Sequence, residues 1–150
     1  MILCNNSMLI LALASLIQMP PMTRYSLLPS LGKSAPTLQG LSGFELLFHE
    51  ASHTFAGTMR DALAAQCGVQ HRNCGDLWHT VLFYTSGVEL RRLLPAAEEA
   101  SFTPYAYRNG VYTRGDWPKY QRVLEKDWQV YLDGKTNFQT AIHSMVADLQ

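Results

Sequence analysis

Charge is scarce in this chain. Asp, Glu, Lys and Arg make up 16% of 150 residues, split evenly into 12 acidic and 12 basic side chains. With neither an excess nor a stripe of Lys and Arg, the electrostatic footprint of a nucleic-acid binder is missing, and no nucleic-acid partner is expected. The apolar run Met8–Ile17 (MLILALASLI) falls short of the roughly 20 residues that cross a bilayer, so no stable membrane span is expected. No segment alternates apolar and polar residues convincingly, which leaves little or no strand, with room for one only within residues 20–40. Internal repeats and low-complexity tracts are also missing.

What remains is the composition of one globular domain, 47% apolar and 11% aromatic, long enough to bury a core without staples. Residues 1–22 read either as a signal peptide, whose apolar stretch Met8–Ile17 would match, or as an irregular N-terminus; no basic residue precedes the run. The protein is exported on the first reading and cytoplasmic on the second. Residues 23–150 are expected to form a single metallohydrolase-like domain, opened by a Pro- and Ser-rich lead-in to Gly40. Of the cysteines Cys4, Cys67 and Cys74, the last two flank the loop CGVQHRNC. Free thiols are the preferred state there, a disulfide is the alternative in an exported protein, and a metal site with His71 would lack a fourth ligand.

The expected fold is mainly α. Ser42 and Glu45 have the spacing of a capping box, and Phe44, Leu47, Phe48, Ala51, Phe55 and Met59 follow at helical spacing. This predicts a helix over about 43–67, with Gly68 as its left-handed stop. A second helix, over about 75–94, has Asp76 in its first turn, Arg91 and Arg92 in its last and Pro95 beyond it. The short connection predicts that the two helices pack together. Residues 96–115 lack a period and are rich in Tyr and Arg. Two C-terminal helices follow, one capped by Asp116 with Pro118 in its first turn and closed by Gly134, the other opened by Thr136 with Phe138, Ile142, Met145 and Leu149 on one face.

The first helix carries His49-Glu50-Ala51-Ser52-His53. Histidines four apart project from one face, one turn apart, so both imidazoles can meet one tetrahedral zinc. Glu50 is then placed to act as base on a zinc-activated water. A catalytic zinc needs a third protein ligand and an open position. His79, on the second helix within the apolar segment LWHTVLFYTSG, is the first choice, because an imidazole there is costly without a partner. Glu89 is the rival. It lies ten residues further along, about 15 Å away on a helix, so the two cannot share one ion. Glu45 is a further possibility as a hydrogen-bond partner of a ligand histidine, though the capping box accounts for it more simply. Tyr105, Tyr107 and Arg108 are candidates for stabilising an oxyanion, with Tyr107 and Arg108 carried forward as catalytic. His71, in the interhelical loop, and His143, on the last helix, are expected to be surface or packing residues.

HEASH resembles the metal-binding motif of the zincin superfamily of metallopeptidases. With the segments FELLFHEASH, LWHTVLFYTSG and YAYRNGVYTRGDWPKYQRVLEKDWQVYLDGK, residues 38–149 are similar to a group of bacterial proteins sharing FHEASH, LWH…FYT and PYAYR blocks. The zincin likeness implies zinc held by His49 and His53, catalysis by Glu50, and a peptidase acting on peptides or small amides. The block-level likeness implies that His79, Tyr107 and Arg108 belong to the site. The chain departs from the metzincin pattern, since TFAGTM follows His53 with no Gly-x-x-His, and Glu89 lacks the neighbours of a thermolysin-type glutamate helix. The alternative reading is a non-catalytic helical module that binds a metal or a protein partner.

Overall fold

The computed structural model describes residues 40–149; the signal-like stretch and the room for a strand both lie outside them, Gly40 excepted. Among the described residues the protein is helical throughout, without strands. Helix α1 (Leu41–Ser52) passes through a 3-10 turn (His53–Phe55) into α2 (Ala56–Val69), and α3 (Leu77–Leu93) packs against both. The short helices α4 (Ala96–Glu99) and α5 (Tyr105–Arg108) and a 3-10 turn (Val111–Thr113) lead to α6 (Trp117–Val123). A π-turn (Leu124–Trp128) joins α6 to α7 (Gln129–Leu132), and α8 (Phe138–Ala147) ends the domain. No helix among them is long and apolar enough to cross a membrane.

The expected pairing of the motif helix with the helix near 75–94 is therefore present, but the motif helix is not one uniform α-helix. Ser52 Oγ donates to the His49 carbonyl at 2.6 Å and Thr54 Oγ1 to the Ala51 carbonyl at 2.7 Å. Such hydroxyl-to-carbonyl bonds compete with the backbone ladder and tighten the turn. The capping box does not form either. Gly40, with φ 63°, precedes the first turn, and no side chain caps it. Ser42 and Glu45 both lie buried inside the helix, where Ser42 Oγ accepts from Arg108 and Glu45 Oε2 from the Tyr105 N–H.

The left-handed stop of α2 is His71 (φ 52°), not Gly68. Arg72 N–H donates to the Cys67 carbonyl at 2.9 Å and His71 N–H to that of Gly68 at 3.3 Å, the paired bonds of a Schellman ending. A Cys67–Cys74 disulfide closes this loop, correcting the preference for free thiols and removing both sulfurs from any metal site with His71. Near the C-terminus Asn137, rather than Thr136, caps α8, accepting from Thr140 N–H at 2.9 Å. Asp116 makes no cap bond and pairs with Lys119 instead. Gly134 closes α7 as expected, with φ 71°.

Two apolar clusters hold the helices. The larger gathers Leu77 and Val81 of α3 with Tyr120, Leu124, Trp128, Ile142, Met145 and Leu149. The smaller joins Phe48 of α1 to Leu90, Leu94 and Phe102. Each of these large side chains, once buried, contributes about 1.5–3 kcal/mol. Because α3 serves both clusters, its register against α1 is fixed from two sides, and with it the position of His79.

Candidate metal centre

His49 and His53 lie one turn apart at the end of α1, and His79 enters from the first turn of α3. Their side chains converge. The Nε2 atom of His49 is 3.2 Å from Nε2 of His53 and 3.1 Å from Nε2 of His79. Ligand atoms of all three residues lie within 4.8 Å of one another. The ring centroids stand 4.9, 5.0 and 5.1 Å apart, an almost equilateral triangle. Two imidazole nitrogens bound to one tetrahedral zinc would be separated by about 3.3–3.4 Å, close to both measured Nε2 separations.

The three rings cannot satisfy one another. A neutral imidazole nitrogen carries either one hydrogen or one lone pair, so His49 Nε2 cannot form two good hydrogen bonds with two other nitrogens. His49 is buried, and its Nδ1 has no protein partner. Burial, then the charges of His79 and His53, lower its pKa from 6.5 to about 4, so the ring is neutral near pH 7. Burial, then His53, also lowers that of His79, against the raising effects of Asp76 and Glu50. Three imidazoles facing one point are donors suited to a cation of the zinc, copper, iron or nickel type.

Aromatic rings wall the site. Phe83, one turn after His79, stacks on His49 with centroids 3.7 Å apart. Trp78 stacks on His79 at 5.0 Å and meets His53 edge-on at 5.8 Å. Trp117 closes on His79 from the N-terminus of α6 at 5.8 Å. Trp78 and Phe83 lie in the apolar segment LWHTVLFYTSG, and the i,i+4 relation of His79 to Phe83 is the signal in the sequence that sets Phe83 beside the site. Trp117 had no local signal, because its place depends on how α6 docks.

Glu50 is exposed at the end of α1, and its charge reaches His79. Glu89 does not join the cluster; its carboxylate pairs with Arg92 at 2.8 Å. Tyr107 and Arg108 are also occupied elsewhere. The Tyr107 hydroxyl donates to Glu125 at 2.7 Å, and burial together with that bond raises its pKa. Arg108 donates to Ser42 Oγ. Among the described residues neither has a hydrogen bond or ring contact with the three histidines. His71 and His143 are exposed.

Glu45 is neither a cap nor a bonded partner of His49. Its Oε2 accepts the Tyr105 N–H at 2.7 Å, tying α5 to α1. Gly87 permits this approach, since a Cβ there would stand 2.7 Å from Pro104 Cβ and 3.0 Å from Glu45 Oε1. Comparison of the chain with family models, with curated proteins and with solved structures finds no match.

Proposed function

We propose that this protein is a zinc-dependent hydrolase of peptide or small amide bonds, related in its motif to the zincins. His49, His53 and His79 would hold the metal and Glu50 would serve as general base. The observation that carries this reading is the convergence of the three imidazoles. Three histidines with a position left open are the donor set of a catalytic zinc, and carboxylate-preferring magnesium or calcium fits them poorly. When bound, zinc would polarise a carbonyl and bring the pKa of a coordinated water to about 7. Glu50 is adjacent in sequence to His49, and its exposed carboxylate already acts on His79. It can take a proton from the attacking water and return it to the leaving nitrogen. Phe83, Trp78 and Trp117 shield the inner side of the site, which strengthens the electrostatic effects within it.

One observation favours the second reading, a non-catalytic metal-binding module. Zinc ligands usually pass their other ring N–H to a carboxylate, a carbonyl or water, whereas His49 Nδ1 has no protein partner. Glu50→Gln separates the two. The hydrolase reading expects about one zinc per chain in both wild type and variant, with amide hydrolysis falling by a factor on the order of 10² or more in the variant. Zinc retained in a wild-type protein with no turnover on a peptide library would support the module. Protein that carries no zinc and whose melting temperature ignores chelator would sink both.

A further inference from the structure

Arg60 has no part in holding the histidines, yet it lies close to them. It follows His53 by seven residues, is exposed on α2, and makes no ion pair among the described residues. Its Cζ sits 4.1 Å above the Trp78 ring. The same indole packs on His79 at 5.0 Å and on His53 at 5.8 Å. A single ring therefore separates the guanidinium from two of the three imidazoles.

Beside Trp78 opens a cleft of about 310 Å³, with walls of Leu63, Ala64, Trp78 and the Cys67–Cys74 disulfide and with Arg60 as its one charged residue. Its size falls at the small end of ligand sites, and its design, an apolar pocket with one placed polar group, is theirs as well. A guanidinium matches a carboxylate with two parallel hydrogen bonds. Resting on an indole, it is partly preorganised for that grip.

We propose that this cleft receives the C-terminal end of a short peptide, with Arg60 holding the terminal carboxylate and Leu63, Ala64 and Trp78 enclosing an apolar last side chain. The contacts at 4.1 and 5.0 Å through the indole keep the guanidinium within about 9 Å of the His79 ring, and an extended chain advances about 3.3–3.6 Å per residue, so with the carboxylate at Arg60 an amide one or two residues upstream is within reach of the histidines. The proposal rests on the hydrolase reading and makes it more specific: the enzyme removes a residue or a dipeptide from a free C-terminus.

The test uses zinc-loaded Glu50→Gln protein, which binds without turnover, and calorimetric titration with benzoyl-glycyl-leucine and its C-terminal amide. The acid should bind about 10- to 100-fold more tightly than the amide, the margin of a hydrogen-bonded charge. Adding Arg60→Ala should bring the acid down to the affinity of the amide and leave the amide unchanged, with Arg60→Lys in between. Equal binding of acid and amide, no binding of either, or indifference to Arg60→Ala overturns the proposal. The two readings fail separately. Selective, Arg60-dependent binding in a wild-type protein that cleaves nothing keeps the pocket and sinks the hydrolase. Cleavage that ignores both Arg60 and the terminal carboxylate sinks the pocket alone.

Discussion

Two polar clusters lie one turn apart on α1, and they are built on opposite plans. Around Glu45 unlike groups meet: its carboxylate accepts the Tyr105 N–H, and Arg108 donates to Ser42 Oγ. Around His49 like groups meet, three imidazoles with facing Nε2 atoms. The first plan ties α5 to α1 through the Tyr105 N–H on Oε2, with Oε1 buried and unpartnered beside it. The second leaves donors and acceptors mismatched in a half-buried place, where an unmet polar group costs about 1–3 kcal/mol. Docking of α5 on α1 accounts for the first cluster. The second stores an unmet demand that a cation of the right softness would meet, which is how a binding site differs from a structural network.

The comparison breaks most sharply at His49. His49→Ala should remove zinc almost completely, from about one ion per chain, and lower hydrolysis by a factor on the order of 10³ or more, about 4 kcal/mol in the barrier. Metal analysis and single-turnover assays would measure both. Ser42→Ala, in the neighbouring cluster, should leave zinc and turnover at wild-type levels. A His49→Ala protein with full zinc would put the two clusters in one structural class and end the distinction.

The histidine pair was legible in the sequence because a helix fixes the direction of residues four apart. His79 was legible at one remove, since an imidazole in an apolar helix needs a partner and the short loop limits which helix supplies it. The Glu45 cluster was not. Ser42 and Glu45 have the spacing of a capping box, and that local pattern hid a tertiary role that depends on Gly87 allowing Pro104 and the Tyr105 N–H to come close. The disulfide is hard to read from the sequence for a related reason. Two cysteines seven apart pair only if the backbone turns between them, and the turn uses His71 in a conformation that non-glycine residues seldom adopt. Tyr107 and Arg108 drew attention as a dense group of aromatic and basic residues. Density says nothing of direction: the Tyr107 hydroxyl donates to Glu125, and Arg108 reaches Ser42.

A smaller effect, on stability rather than chemistry, sharpens the comparison through pH. Burial raises the Glu45 pKa from 4.5 to about 7, against the lowering effects of the Tyr105 N–H, Arg108 and Arg91; Tyr112, whose hydroxyl also lacks a partner, is the other titratable group that feels its charge. Between these values the unfolded chain has released a proton that the folded one keeps. Stability from this group therefore falls as pH rises from 4.5 to 7, by up to roughly 3 kcal/mol, and is flat above. His49 has the opposite slope: lowered to about 4, it costs stability as pH drops below 6.5. Urea unfolding in chelator between pH 4.5 and 8 separates the two, because the difference between wild type and Glu45→Gln isolates the carboxyl. The variant should lose the decline near neutrality. Parallel curves would mean that Glu45 is ionised in the fold and that its cluster is an ordinary ion-pair network.

The smallest expected effect tests the choice of third ligand. Glu89 and His79 share α3, but Glu89 bonds Arg92, which also reaches Asp133 at 3.1 Å. Such a pair at the protein surface contributes less than about 1 kcal/mol. Glu89→Ala should therefore shift the urea midpoint only slightly and keep a full complement of zinc, while His79→Ala should lose most of the metal. The reverse would require the half of α3 beyond Gly87 to turn its carboxylate toward His49. Leu90, buried with Phe48 in the smaller apolar cluster, opposes that rotation, because turning the helix would carry Leu90 out of its contact and expose it to water. Zinc retained in Glu89→Ala would thus also test whether the packing of α3 on α1, and not the chemistry of the carboxylate alone, selects the histidine.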